Sequence, residues 1–246
     1  MIYLYAICDQ YAAPPEAVHG VDLAQLSTLC YEGLSAIVSK TDLADIAPTP
    51  QRLWQHERVV EALMYKRSVL PARFATVFES EDEVIDQLRI YQKHYEAELA
   101  RVRGCVELGL RVLRMVEPPA LEDRDDKDSI PSPDLLASEK NGRTFHIALR
   151  AAEMQRDALR RRDESLGEIL NRSLIINATD HISRVESQTG TVLKASYLVP
   201  HSRLSEMQNA VHRLRETYKN LHFLCTGPWP PYHFVQPIAP PQHSLS

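Results

Sequence analysis

Glycine is scarce in this chain, with eight among 246 residues, and none of the eight falls into a GxGxxG fingerprint. A dinucleotide-binding crossover needs those glycines for its tight turn and for close approach of the pyrophosphate, so that class lacks its signature. The nearest phosphate-loop spacing, Gly104 to Gly109, is followed by Leu110 and Arg111. A phosphate loop needs Lys and then Ser or Thr there, for the phosphates and for magnesium. Also missing are a GxSxG elbow, an HExxH helix and any Cys/His array at metal-ligand spacing, which removes the usual signs of nucleophilic hydrolysis and zinc chemistry. Cysteine is sparse too. Cys8, Cys30, Cys105 and Cys225 lie far apart inside apolar, strand-like runs, which predicts reduced core thiols in a reducing compartment and not a disulfide framework. No apolar run approaches the roughly 18 residues of a membrane span, and no basic region precedes the short apolar N-terminus, so the expectation is a soluble, cytoplasmic chain. With 28 Lys and Arg against 33 Asp and Glu, a net charge of -5 gives no general attraction to nucleic acid or to an anionic membrane, and neither is expected as a partner.

What is present reads as globular. A hydrophobic share of 44% with 25% charged residues over 246 positions predicts two ordinary domains, each with its own core. Ile2, Leu4, Ala6 and Cys8 alternate with Tyr3, Tyr5 and Ile7, the pattern of a first strand with one set of side chains on each face. Between Leu26 and Ser39 two β-rich runs flank Glu32-Gly33, a hairpin turn. Thr49 before Pro50 is an N-cap with proline at the first helical position, and Leu53, His56, Val60 and Leu63 then mark a helix from Pro50 to about Arg67. Val69 to Phe78 returns to β-like composition. Ser80 with Glu83 forms a capping box, and Val84, Leu88, Tyr91, Tyr95, Leu99 and Val102 make one continuous helical stripe that stops at Gly104. Val106, Leu108, Leu110 and Val112 alternate as a strand. The first unit, residues 1–118, is therefore expected as a β-ββ-α-β-α-β sandwich of the α+β class.

Residues 119–142 combine Asp123, Asp125, Asp126 and Asp128 with Pro131 and Pro133 and read as a linker unable to build a core. From Arg143 to Ser187 the absence of proline predicts a long helix, with Gly167 as a candidate break and Ile182 and Val185 on its apolar positions. Leu193, Ala195, Tyr197 and Val199 alternate as a strand, Leu204, Met207, Val211 and Leu214 follow helical spacing, and Leu221, Phe223 and Cys225 form another strand. The second unit, residues 143–235, is expected as α-β-α-β, followed by a tail over 236–246.

Candidate chemistry is thin. His181, His201, His212, His222 and His233 show no i, i+4 pairing that would aim two ligands one way, so no metal is expected. Arg160, Arg161 and Arg162 are interrupted by Asp157, Asp163 and Glu164 without interleaved aromatics, the pattern of a solvated helix face. Two segments stand out. Val69–Phe78 reads VLPARFATVF, with Pro71 interrupting a strand and Arg73 among apolar neighbours; Arg73 either caps carbonyls or pairs a carboxylate, or it centres a ligand or enzyme site. Thr226–Phe234 reads TGPWPPYHF, a stiff run that either packs back on its own domain or presents aromatic anchors to a partner.

Taken with Trp54-Gln55-His56-Glu57 and with Val106-Glu107-Leu108-Gly109-Leu110-Arg111-Val112, those two segments resemble the gas vesicle protein F/L family in the same order along nearly the whole chain. Ala75 stands where a glycine is common in that family, and Leu108 where an aromatic is common. The resemblance implies a two-domain α+β fold with a helix-rich, ferredoxin-like C-terminal part, no catalytic residues, no cofactor and no enzymatic activity. It implies an accessory protein of gas vesicle assembly that binds the small hydrophobic major shell protein (GvpA), and other gas vesicle accessory proteins, and limits shell-protein aggregation. The alternative it carries is a minor structural component of the shell on its gas-facing surface, cytoplasmic before assembly. Its family-motif residues are the candidates for interaction: Leu70, Pro71, Arg73, Phe74, Val77 and Phe78 in the first segment, and Gly227, Pro228, Trp229, Pro230, Pro231, Tyr232 and Phe234 in the second.

Overall fold

The computed structural model describes residues 1–43, 46–115, 139–186 and 190–238. It is a mixed α+β structure built on two antiparallel sheets and five helices. In the first sheet β1 (Ile2–Asp9) is central, flanked by β3 (Leu34–Lys40) on one side and by β4 (Val69–Pro71) and β5 (Val77–Phe78) on the other, with β2 (Leu26–Tyr31) outside β3. The β2–β3 turn is the expected two-residue hairpin: Tyr31 pairs Leu34, and Glu32 and Gly33 both have positive φ, at 38° and 87°. That is the backbone a twisted hairpin requires of a two-residue loop.

Each face of β1 is buried, but not in the simple alternation read from the sequence. A register shift between Leu4 and Ala6 reverses the parity, so Ile7 joins Ile2 and Leu4 in one core while Ala6 and Cys8 join Tyr3 and Tyr5 in the other. An inserted residue in a ladder moves every later side chain to the opposite face. The Tyr face is covered by α1 (Pro50–Met64) through Val59, Val60 and Leu63. Its start is as expected, with Arg52 N–H donating to Thr49 Oγ1 at 3.3 Å. The Ile face is covered by α2 (Glu81–Ile90) and α3 (Gln92–Val102) through Val84, Leu88, Tyr95 and Leu99. The Ser80 cap holds, accepting from Glu83 N–H at 3.2 Å, while the Glu83 carboxylate accepts from Glu79 N–H at 2.8 Å. The expected single helix is broken at Tyr91. Val84 and Leu88 before the break and Tyr95, Leu99 and Val102 after it lie in the same core, as in a helix wrapping around what it packs against, whereas Ile90 and Tyr91 at the break are exposed.

The second sheet corrects the expected architecture. Its strands are β6 (Cys105–Arg114), β7 (Asp180–Glu186), β8 (Thr191–Pro200) and β9 (Leu221–Trp229), in the order β7-β8-β6-β9. The strand assigned from sequence to the first unit, β6, is thus central in the second sheet, paired to β8 and β9 along its length. Alternation identifies the buried face of a strand and is silent on its neighbours. Residues 180–186, read as helix, are strand: they pair with β8 as a hairpin edge. The helix before them, α4, runs unbroken through Gly167 from Glu139 to Ile175, so residues 139–142 of the expected linker are helical. The rest of that linker, with Asp123, Asp125, Asp126 and Asp128, lies outside the described residues.

One face of the second sheet is covered by α4 and α5 (Leu204–Thr217): Leu108, Leu110, Val112, Leu193, Tyr197 and Phe223 pack with Leu170, Leu174, Met207 and Val211. Asp163 belongs to this buried stripe and pairs with Arg114 of β6, whereas Arg160, Arg161 and Arg162 are exposed as expected. β6 also joins the two halves of the molecule, because Cys105 and Val106 at its start lie in the cores of the first sheet. All four cysteines are free thiols; Cys8 and Cys105 are buried as expected, but Cys30 and Cys225 are exposed. Burial pushes the Cys8 thiol up to about 12.

Candidate functional site

The two unusual segments meet. Leu70, Ala72 and Phe78 from the first and Phe234 from the second lie in one hydrophobic core with Ile2, Leu4 and Tyr95, and Ile238, among the residues read as a tail, joins them, while Gln236 and Pro237 are exposed.

Between β4 and β5 the chain turns over Tyr3 and His56. His56, 1% exposed, sets Nε2 3.1 Å from the Ala72 carbonyl and Nδ1 2.9 Å from the Tyr3 hydroxyl, while Tyr3 accepts from Ala75 N–H at 3.0 Å. A carbonyl only accepts, so Nε2 carries the proton, Nδ1 accepts from the Tyr3 O–H, and each buried group in the chain Ala75–Tyr3–His56–Ala72 is satisfied. Burial lowers the His56 pKa to about 4, against the Ala72 hydrogen bond, which raises it. The imidazole is therefore a neutral structural link near neutral pH. Tyr5 stacks on it with ring centroids 5.5 Å apart, and Phe74 meets it edge-on at 6.0 Å.

Arg73 is exposed, and it is its carbonyl that works, accepting from Thr76 N–H at 3.2 Å and from the Thr76 hydroxyl at 2.8 Å. Ala75 has φ +62°, which explains a preference for glycine at this position. The left-handed region costs a residue with a Cβ roughly 1–2 kcal/mol, partly offset in a glycine variant by about 0.4–1 kcal/mol of added unfolded-state entropy. Ala75→Gly should therefore stabilise the protein by about 1 kcal/mol, read as a higher urea midpoint at unchanged m; a lower midpoint would refute the assignment.

Within β9, where its pairing with β6 shifts register between Glu107 and Gly109, the Gly227–Pro228 peptide is cis. Gly227 has φ +106°, and a Cβ there would lie 2.6 Å from the Glu107 carbonyl, so only glycine fits. Beyond it Pro230, Pro231 and Phe234 are buried. The buried carboxylate of Glu107 accepts from His233 N–H at 3.0 Å and contacts its Nδ1 at 2.5 Å, and Arg101 donates to the Phe234 carbonyl. Tyr232 reaches back toward α1, where burial and then the Glu57 carboxylate push its hydroxyl pKa up; the carboxylate faces it outside good hydrogen-bond geometry. Of the thirteen motif residues, Leu70, Pro71, Phe78, Pro230, Pro231 and Phe234 are thus buried, and Phe74, Val77, Pro228 and Tyr232 half-buried. Arg73, Gly227 and Trp229 are exposed.

Trp229 borders the face of the second sheet on which no helix packs among the described residues. The register places Ile182, Ser196, Gly109 and Thr226 in one row across four strands and Arg184, Lys194, Arg111 and Leu224 in the next. Ile182, Leu224 and Trp229 are 42%, 43% and 41% exposed, and Leu224 and Trp229 line a shallow apolar trough of about 370 Å³ with Gly109 and the stems of Arg111 and Lys194. No sequence pattern shows the row of three cations, because it exists only once β7, β8 and β6 are in register. Like charges directly opposite one another disfavour the sheet, and among the described residues no carboxylate pairs with these three. Nor do three His, Cys, Asp or Glu side chains converge as a metal site among the described residues, and no helix there is long and apolar enough to cross a membrane.

The fold is shared with known proteins. The crystal structure of the gas vesicle protein GvpF from Anabaena sp. PCC7120 superposes with a TM-score of 0.73 at 19% identity, covering 98% of each chain. That of GvpF from Microcystis aeruginosa gives 0.71 at 18%, covering 96% of this chain and 98% of that one. In sequence, gas vesicle protein F2 of Halobacterium salinarum is 26% identical over 239 residues, 95% of this chain and 91% of the relative. Gas vesicle protein L of a Streptomyces species is 27% identical over 253 residues, 95% and 92% of the two. A family model described as gas vesicle synthesis protein GvpL/GvpF matches residues 1–236, and the chain belongs to that family.

Proposed function

We propose that this protein serves gas vesicle assembly by binding the small hydrophobic major shell protein and limiting its aggregation, with no catalytic step. The observation that carries this is the face of the second sheet left without a helix among the described residues, where Ile182, Leu224 and Trp229 stand exposed beside an apolar trough. A shell subunit that must turn an apolar surface toward gas would self-associate in water, and apolar area removed from water is worth roughly 25 cal/mol per Å². In this proposal the second unit starts at β6, whose connection β6-α4-β7-β8-α5-β9 and strand order correspond to a ferredoxin-like unit.

Pull-down of the major shell protein tests it. Trp229→Ala should weaken binding by about 2 kcal/mol, as for a central aromatic anchor, with circular dichroism and melting temperature unchanged because the ring is largely outside the core. A contact carried by Trp229 and Leu224 keeps its affinity when salt rises from about 0.1 to 1 M, whereas one carried by Arg184, Lys194 and Arg111 loses it as the Debye length falls from roughly 10 to 3 Å. Failure of the intact protein to bind at either salt concentration removes the proposal.

A further inference from the structure

A second concavity, of about 460 Å³, lies where the end of β1, the chain after α1 and the α3–β6 turn come together, and it shares no lining residue with the Trp229 trough. Its size is that of a small-ligand site, and junctions between structural units are where such sites concentrate. Its chemistry is one-sided. Lys66, Arg67 and Arg103 line it against a single carboxylate, Asp9.

Arg67 is the informative member. Its Nη1 donates to the Tyr11 carbonyl at 3.0 Å, but its Nε is buried without a partner, and no carboxylate among the described residues pairs with it. A half-buried guanidinium has given up water, and one carbonyl leaves its positive charge without a counter-charge. Arg103 is available as well: its only ion pair among the described residues, to Asp9, is long at 3.5 Å, and the side chain is 66% exposed. Exposed pairs of that kind contribute little and exchange readily for a better acceptor. Tyr11 and Tyr65, 73% and 76% exposed, flank the same opening with rings that touch little of the protein. Planar forks of N–H donors match the oxygens of carboxylate and phosphate, and tyrosine rings supply flat contact area at small entropic cost.

We propose that this cleft binds an oxyanion, a carboxylate or phosphate group, on a ligand whose planar or hydrocarbon body lies against Tyr11 and Tyr65. Arg67 supplies the half-buried charge, and Arg103 and Lys66 close on the ligand from the rim, with Arg103 leaving Asp9. The site does not depend on shell-protein binding.

Calorimetric titration of the full chain with inorganic phosphate and, separately, with N-acetylglutamate tests the proposal and distinguishes the two sources of the anion. At least one probe should bind saturably with one site per chain, and the one that binds names the group. Arg67→Gln should weaken that binding at least about tenfold. Because Arg67 also holds the Tyr11 carbonyl, the exposed Arg103→Gln and Lys66→Gln provide the same test without touching the core, each with several-fold weaker binding at unchanged melting temperature. Arg161→Gln, on the exposed face of α4, should change nothing. Absence of saturable binding by both probes up to about 10 mM, undiminished binding in the cleft variants, or an equal loss in Arg161→Gln would overturn the assignment.

Discussion

Phe234→Ala should lower the stability of the protein by about 3–5 kcal/mol, the range for removing a buried phenylalanine ring. The ring is 4% exposed and lies in a core that draws on both halves of the molecule: Leu70, Ala72 and Phe78 around the β4–β5 turn, Tyr95 and Leu99 from α3, and Leu198 from β8. It is also pinned by backbone, since Arg101 donates to its carbonyl and Glu107 accepts from the N–H of the residue before it. The polypeptide cannot refill the space by shifting that segment without breaking those bonds, so the cavity term persists. A domain of this kind has a total stability on the order of 5–15 kcal/mol, and the variant should show a large drop in urea midpoint at nearly constant m. The contrast with Trp229→Ala is diagnostic: one ring of the same nine-residue block holds the fold, the other stands outside it. An unchanged midpoint in Phe234→Ala would show that the block docks only loosely.

The second large effect is a pH dependence centred on His56. Its folded pKa is depressed to about 4 from 6.5, so the unfolded chain binds the proton more tightly. Stability from this group is fully present above 6.5 and is lost as pH falls toward 4. The slope is about 1.4 kcal/mol per pH unit in that window, and the loss reaches about 3 kcal/mol at pH 4. Protonation would put a hydrogen on Nδ1 facing the Tyr3 O–H, turning an acceptor into a donor inside a closed chain of bonds. Glu57 works in the other direction: burial raises its pKa, so its contribution is present at low pH and lost as pH rises through the folded value. Urea melts of wild type and His56→Gln across pH 4 to 7 therefore have to be compared as differences, because Glu57 is common to both. The variant should be less stable than wild type at neutral pH, and the gap should narrow by about 3 kcal/mol on going to pH 4. A constant gap would mean that His56 titrates normally in the folded protein.

Local chemistry was legible in the sequence. The Thr49-Pro50 and Ser80–Glu83 helix starts, the Glu32-Gly33 turn and the alternation of β6 all depend on residues within a few positions of one another, and they stand as read. So does family membership, which rests on two unusual segments in fixed order. What the sequence left undetermined involves partners far along the chain. A single bulge in β1 re-sorted its core faces; pairing with β8 and β9 moved β6 from one sheet to the other; and the β7–β8 hairpin took residues 180–186 away from a helix. His56 appeared only as one more position on an amphipathic stripe, yet its hydrogen bonds reach Tyr3, 53 residues before it, and Ala72, 16 after it. Asp163 carried a usable signal, since it lies four, seven and eleven positions before Gly167, Leu170 and Leu174 on the buried side of α4. The exposed cation row, the Trp229 trough and the Arg67 cleft had none. Spacing along a chain fixes which side of an element is apolar, because helix and strand periods are set by the backbone, whereas a surface made from several elements exists only after register and packing have chosen which of them are neighbours.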